Sequence, residues 1–142
     1  MKSTNPEISI ILPVYNAGQY LRKCLDTLIH QTLNNIEIII VTDCPTDGSE
    51  MICKEYASKS DKIVLIENQT NLHIGQARNI GLSAAKGKYV AFSDHDDYRE
   101  LNMYEKLLSC AEINQSEIIF GMPVTIQNDQ ILLHPAFKNK NE

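Results

Sequence analysis

The stretch ISIILPVYNAGQYLRKCLDTLIHQT (residues 8–32) decides the architecture. It opens with a nearly continuous apolar run, Ile8 to Leu12, of the kind found in strands covered on both faces. A Pro-Val-Tyr-Asn segment follows. Then Tyr20, Leu21, Cys24, Leu25, Leu28 and Ile29 recur at helical spacing and mark a core-facing stripe. A second apolar run, Ile36 to Val41, comes next. Strand, helix, strand in this order is the start of a wound sheet.

The pattern continues outward from there. Lys62 to Ile66, Tyr89 to Phe92 and Glu117 to Phe120 are further strand candidates, each read as a covered, apolar run. A second helix is expected to begin near Thr46 or Asp47, either of which is a good N-cap, with Glu50 three residues beyond Asp47. A third, around Gly75 to Ala85, carries the small residues Ala77, Gly81, Ala84 and Ala85, which suit close packing on a sheet. A fourth opens at Asn102, with Glu105 at the capping-box position. The alternation predicts an α/β fold: a three-layer α/β/α arrangement around a mostly parallel sheet. After Gly121, Val124 to Ile126 and Ile131 to His134 flank Asn128-Asp129 as a hairpin, and Phe137 to Glu142 reads as a polar, frayed tail. One domain spans residues 1–142, with its motifs in residues 7–110 and the hairpin and tail in 122–142.

Composition narrows the function classes. A hydrophobic fraction of 43% and a charged fraction of 22% are those of a globular protein with a real core. The net charge of −5 and the lack of a basic stripe argue against nucleic acid as a partner. No apolar run is long enough to cross a bilayer, and the N-terminus lacks the apolar stretch of a signal peptide, so a cytoplasmic location is expected and no membrane association is evident. Cys24, Cys44, Cys53 and Cys110 are scattered, with no Cys-x-x-Cys pair, and read as reduced thiols. His30, His73, His95 and His134 are equally dispersed, so a zinc site is not expected.

In wound sheets ligands sit at the carboxyl ends of the strands, and four clusters are expected at that edge. Pro13-Val14-Tyr15-Asn16 follows the first strand, and the segment from Thr42 to Asp47 follows the second. Arg78-Asn79 lies in the third helix after the loop Asn68 to Gly75, and Asp94-His95-Asp96-Asp97 follows the fourth strand. Three carboxylates within four residues repel one another: two charges about 4 Å apart cost roughly 4 kcal/mol at an effective dielectric near 20. A divalent cation removes that cost, and hard oxygen ligands suit Mg²⁺ or Mn²⁺. The plainer reading is a solvated acidic turn that caps the next helix. Tyr15 offers a face to a base or simply packs; Asp43 accepts from a base or ribose or forms a turn. Arg78 pairs with a phosphate or makes a salt bridge on the helix surface. Cys44 and His95 lie inside two of these clusters and are read as non-catalytic. The absence of G-x-G-x-x-G and of a P-loop argues against a dinucleotide oxidoreductase and a P-loop NTPase.

At these residues the sequence resembles glycosyltransferase family 2, inverting enzymes whose catalytic domain has the GT-A fold. The resemblance is carried by ISIILPVYNAGQYLRKCLDTLIHQT (8–32), NIEIIIVTDCPTDGS (35–49) and NLHIGQARNIGLSAAKGKYVAFSDHDD (71–97), in the family's order and spacing. It implies a nucleotide-binding, Rossmann-like half and transfer of a sugar from a nucleotide-diphosphate sugar, with UDP the commonest nucleotide. The acceptor would be a hydroxyl on a glycan, lipid or other molecule. Pro13 and Tyr15 would shape the base pocket, Asp43 would bind base and ribose, and Arg78 would approach the base or diphosphate. Asp94 and Asp96 would form the Asp-x-Asp pair, Asp94 touching the ribose and both holding Mn²⁺ or Mg²⁺.

Two departures stand out. Thr42 replaces the first acidic residue of the family's usual Asp-Asp-Gly-Ser segment, and Cys44-Pro45 replaces its Gly-Ser. Family members also continue through an acceptor-binding half that carries the catalytic base. Here Glu100, Glu105, Glu112, Glu117, Asp129 and Glu142 follow Asp96, none in a recognisable base motif, so the catalytic base is unassigned. The chain is therefore expected to be the donor-binding part of a longer protein, binding the donor without detectable transfer on its own. Two other readings share parts of the pattern. One is a non-catalytic nucleotide-binding module; the other is a Mg²⁺-dependent phosphotransferase with an aspartate nucleophile.

Overall fold

A computed structural model describes residues 5–121, 124–127 and 130–133 of the chain. The chain divides into two units, Met1–Tyr104 and Glu105–Glu142. The first holds strands β1 (Ile8–Val14), β2 (Ile36–Thr42), β3 (Ile63–Glu67) and β4 (Tyr89–Phe92). Between them run helices α1 (Leu21–Ile29), α2 (Ser49–Lys59) and α3 (His73–Ala84). A fourth helix, α4 (Met103–Asn114), begins at the end of this unit and runs into the second.

The four strands form one parallel sheet in the order β3-β2-β1-β4. From β1 to β2 to β3 the chain steps in one direction; from β3 to β4 it jumps back past β1. Right-handed crossovers then put α1 and α2 on one face and α3 on the other. Packing agrees. Tyr56 of α2 donates its hydroxyl to Asp26 of α1 at 2.7 Å, whereas Ala77 of α3 packs on Ile39 and Val41. Gly81 lies so close to the sheet that a Cβ there would sit 2.5 Å from Ile11 Cγ2. Glycine is required at that point by proximity.

The central strands match the sequence reading. Every residue of β1 and all but Glu37 of β2 are buried. Along α1, Leu21, Cys24, Leu25 and Leu28 are the buried stripe, and each fully buried leucine contributes roughly 1.5–3 kcal/mol. Tyr20, expected in that stripe, is instead 55% exposed in a 3₁₀ turn (Gly18–Tyr20) before the helix. The outer strands also differ from expectation. β3 and β4 are edge strands that alternate between half-buried and exposed positions. Val90 and Phe92 pair with Ser9 and Ile11, on α3's side of the sheet, but α3 rests on β1 and β2 and leaves them exposed.

Helix boundaries shift by small amounts with identifiable causes. Gly48, with φ 85°, is the N-cap of α2, while the neighbouring Asp47 accepts from the Ser49 backbone N–H at 3.0 Å and does the capping chemistry. The expected capping box at α4 is not formed, because Asn102 Oδ1 is buried without a partner. Glu117 to Phe120 is not a strand, and Ile118 and Phe120 are exposed. A β-branched run becomes a strand only where a neighbour supplies a ladder, and none among the described residues does. In the second unit, β5 (Val124–Gln127) and β6 (Gln130–Leu133) pair antiparallel, as the hairpin reading requires. Asn128, Asp129, His134 and the tail from Phe137 to Glu142 lie outside the described residues, as do residues 1–4.

Candidate functional site

Strand order reverses between β1 and β4, which makes their carboxyl ends the topological switch point where ligands bind in open α/β sheets. Proline helps to open the crevice. β1 continues through Pro13 while its pairing with β4 stops at Ile11 and Phe92. The Ile11 carbonyl accepts from Ser93 on the β4 side and the Val14 carbonyl accepts from Asp43 on the β2 side. Pro13 therefore turns its nitrogen toward β4 just where that ladder has ended. A missing N–H costs nothing there.

A cleft of about 330 Å³ lies at this edge, lined by Pro13, Val14, Tyr15, Asp43, Asn71, His73, Ile74, Ala77 and His95. The wall at the ends of β1 and β2 is stitched together. Asn16 Oδ1 accepts from the Thr46 backbone N–H at 2.7 Å, the Ser49 hydroxyl accepts from the Ala17 N–H at 3.1 Å, and Asp47 Oδ2 accepts from the Gly18 N–H at 2.9 Å. The Ser49 hydroxyl also donates to Asp47 Oδ1 at 2.6 Å, and this bond first, with the backbone N–H groups of Gly18 and Ser49, holds the Asp47 carboxyl below its ordinary value.

Asp43 is buried at 3% exposure, and its charge is met by structure. Its Oδ1 accepts from Asn68 Nδ2 at 2.8 Å and from the backbone N–H of Leu72, the N-cap of α3, at 2.9 Å. A carboxylate at a helix N-terminus is favoured by the helix dipole. No bond to Oδ2 is formed among the described residues. Thr42 turns away from the cleft and donates to the Ile66 carbonyl at 3.4 Å. Cys44 holds φ at 55°, in the left-handed region. That explains a glycine at this place in the resembling sequences.

The β4 side is built differently. Arg78 on α3 and Asp94 form an ion pair at 2.7 Å, 36% and 49% exposed. Asp96 is exposed and makes no hydrogen bond or ion pair among the described residues. Burial, and then the charges of Asp96 and Asp94, push the Asp97 carboxyl above its ordinary value. Beneath this loop Arg99 Nη2 donates to the Ser93 hydroxyl at 2.8 Å, and Cys24 Sγ donates to the Asp94 carbonyl at 3.5 Å. Burial raises the Cys24 thiol and pushes Cys53 up to about 12, which keeps both protonated and poor nucleophiles.

Of the sequence-selected residues, Pro13, Tyr15 and Asp43 share the cleft wall. Arg78, Asp94 and Asp96 do not line it but adjoin Ala77 and His95, which do. Among the described residues no three His, Cys, Asp or Glu side chains are placed to hold a metal by themselves.

The Glycosyl transferase family 2 model matches residues 9–140. The chain belongs to that family. Among its relatives, glycosyltransferase GlyA of Streptococcus pneumoniae is 45% identical over 115 residues, covering 81% of this chain and 16% of GlyA. Glycosyltransferase EpsJ of Bacillus subtilis is 42% identical over 114 residues, 80% of this chain and 33% of EpsJ. The S. aureus TarS 1-349 structure, solved with UDP-GlcNAc, superposes with a TM-score of 0.71 at 28% identity, over 77% of this chain and 32% of that 1-349 chain. The four-stranded parallel sheet with its flanking helices is thus the GT-A fold. The chain spans about a sixth of GlyA and a third of EpsJ. Among the described residues no helix is long and apolar enough to cross a membrane.

Sequence reasoning missed Asn71, His73 and Ile74, which line the cleft from the start of α3, and the anchors Asn68, Cys24 and Arg99. Their signal exists only in three dimensions. His95 was the exception: it was visible inside the acidic cluster but carried no mark of a cleft-facing role.

Proposed function

We propose that the cleft binds a nucleotide-diphosphate sugar, with UDP as the nucleotide, and that the chain supplies the donor site of a transferase that passes the sugar to an acceptor hydroxyl with inversion. The observation that carries this reading is the meeting of Pro13, Tyr15, Asp43 and His95 from three strand ends around one cleft at the switch point. The likeness to TarS, solved with UDP-GlcNAc, supports UDP.

In this reading Tyr15 presents its half-exposed ring to the base, and Asp43, fixed through Oδ1, keeps Oδ2 for a base or ribose donor. Arg78 faces the diphosphate, exchanging part of its bond to Asp94 for a phosphate oxygen. Asp94 and Asp96 would hold Mn²⁺ or Mg²⁺, which when bound would supply neutralisation of charge on the departing diphosphate. The acceptor hydroxyl attacks the anomeric carbon opposite the nucleotide and loses its proton to a base. No residue of this chain is assigned as that base.

Calorimetry tests the reading. UDP should bind this chain weakly without metal and more tightly with Mn²⁺. Failure of UDP and of UDP-sugars to bind under either condition would sink the donor-site assignment; equal affinity with and without Mn²⁺ would sink the metal role alone.

A further inference from the structure

The segment from Ser93 to Asn102 carries the acidic cluster and contains neither helix nor strand, so contacts from outside must fix its path. At its start the Ser93 N–H donates to the Ile11 carbonyl at 2.9 Å, and Cys24 Sγ donates to the Asp94 carbonyl. Its far end is held by the two residues that follow the turn closing α1. Gln31, only 3% exposed, uses both ends of its amide there. Nε2 donates to the Thr27 carbonyl at 2.9 Å and to the Glu100 carbonyl at 2.8 Å, while Oε1 accepts from the Tyr104 N–H at 3.2 Å. The nitrogen meets two carbonyls and the oxygen meets an N–H, so the amide has one orientation. Beside it, the Thr32 N–H donates to the Leu101 carbonyl at 2.7 Å. The Tyr104 N–H belongs to the first turn of α4, whose donors no carbonyl of the helix can reach. Asn102 just ahead of the helix leaves Oδ1 unpartnered, so Gln31 caps α4 from 73 positions away in the chain.

We propose that Gln31 is a positioning residue for donor binding: by bridging Thr27 to Glu100 and Tyr104 it fixes the exit of the acidic loop, and so the place of the Asp94–Arg78 pair beside the cleft. Gln31 does not line the cleft and touches no ligand. It acts through the loop, as a supporting shell acts through the groups it holds. An apolar side chain of the same length would take this partner from both the Glu100 carbonyl and the Tyr104 N–H, and free the loop to drift at one end. The proposal rests on the donor-site reading above.

The test titrates UDP and UMP, at fixed Mn²⁺, into the wild-type chain, Gln31→Met, Gln31→Asn and Tyr56→Phe, each shown to be folded by circular dichroism. Tyr56→Phe removes the α2 bond to Asp26 of α1 and serves as the control for lost stability. Gln31→Met should bind UDP roughly 3- to 10-fold more weakly than wild type, the size of one neutral hydrogen bond. Its loss on UMP should be smaller, because UMP lacks the outer phosphate assigned to the Arg78 and Asp94 side. Gln31→Asn, an amide one methylene shorter, should fall between, and it carries the comparison if the methionine variant does not fold. Tyr56→Phe should lower the urea midpoint and keep both affinities. A Gln31→Met chain that is destabilised yet binds UDP as wild type does overturns the proposal, as does an equal loss on UDP and UMP, which would make Gln31 a general support of the fold. A wild-type chain that binds neither nucleotide overturns the donor-site reading itself, an outcome visible before any variant is compared.

Discussion

The two sides of the cleft hold their carboxylates in opposite ways. Asp43, at the end of the buried strand β2, is largely buried and fixed by Asn68 and the N-cap of α3. Asp94 and Asp96, after the edge strand β4, are exposed; one has an arginine partner and the other has none among the described residues. A buried carboxylate must be compensated by the protein, because no solvent is there to do it. An exposed cluster can stay under-compensated, with water sharing the cost. The first side is a built wall; the second is a loop whose charges are met by one arginine and by solvent.

The strongest way to break this contrast is Asp43→Ala. It strips the acceptor from Asn68 Nδ2 and the Leu72 N–H at the start of α3. Hydrogen bonds to charged groups contribute about 1.5–3 kcal/mol each, so urea unfolding should show a loss of about 3–6 kcal/mol for the two, along with loss of nucleotide binding. Asp43→Asn, which keeps an acceptor oxygen, should lose less. A stability change below about 1 kcal/mol for the alanine variant would show that the wall does not depend on this carboxylate.

On the opposite side, Asp96→Ala should leave stability within about 0.5 kcal/mol, as expected for an exposed residue. It should also abolish the Mn²⁺ enhancement of UDP affinity, a loss of about tenfold or about 1.4 kcal/mol. Calorimetry with and without Mn²⁺ checks it. Retained enhancement would move the metal away from Asp96.

Asp47 sharpens the contrast on the built side, since it ties the two loops together through Gly18 and Ser49. Asp47→Ala should cost about 1 kcal/mol at pH 7, the usual size of a lost helix cap. Its folded carboxyl lies below the ordinary value of 3.8. The carboxylate therefore stabilises the fold fully above that value, and its contribution is lost as pH falls through the folded value. The gap between wild type and variant should stay constant from pH 7 to about pH 5 and shrink below about pH 4. Urea titrations across that range measure it, and a gap that widens in acid would refute the assigned bonds.

The same division explains what could be read in advance. β1 and β2 were legible because both are covered, so their apolar runs are unbroken. Edge strands β3 and β4 were placed correctly but expected to be covered, since Val64, Val90 and Phe92 look like core residues in a string of letters. Glu117 to Phe120 failed for the related reason that β propensity does not supply a partner strand. At the site, Pro13, Tyr15, Asp43, Arg78, Asp94 and Asp96 stood out as chemistry at strand ends. Asn68, Asn71, His73 and Arg99 did not, because their roles depend on which loop meets which, and nothing local to them encodes that. Spacing could suggest the cluster at Asp94 but not that Arg78, sixteen positions earlier in the chain, reaches it.

The smallest expected effect concerns the backbone of the built wall. Cys44 holds φ at 55°, a conformation that costs an L-residue about 1–2 kcal/mol. It persists because its neighbours over-determine it. Thr42 is held in the β2 ladder, Asp43 by its two bonds, and Cys44 Sγ itself donates to the Asn68 carbonyl at 3.1 Å. Glycine would remove the strain but add about 0.5–1 kcal/mol of unfolded-chain entropy and forfeit the weak thiol contact. Cys44→Gly should therefore be only about 0.5 kcal/mol more stable than wild type. Alanine separates the two contributions, because it loses the thiol contact and keeps the strain. Cys44→Ala should fall below wild type, and the glycine variant should exceed it by about 1 kcal/mol in urea unfolding. If the glycine variant unfolds below the alanine variant by about 0.5–1 kcal/mol, the entropy cost of glycine alone, the left-handed turn stores no strain, and the thiol bond to Asn68 alone accounts for cysteine at this position.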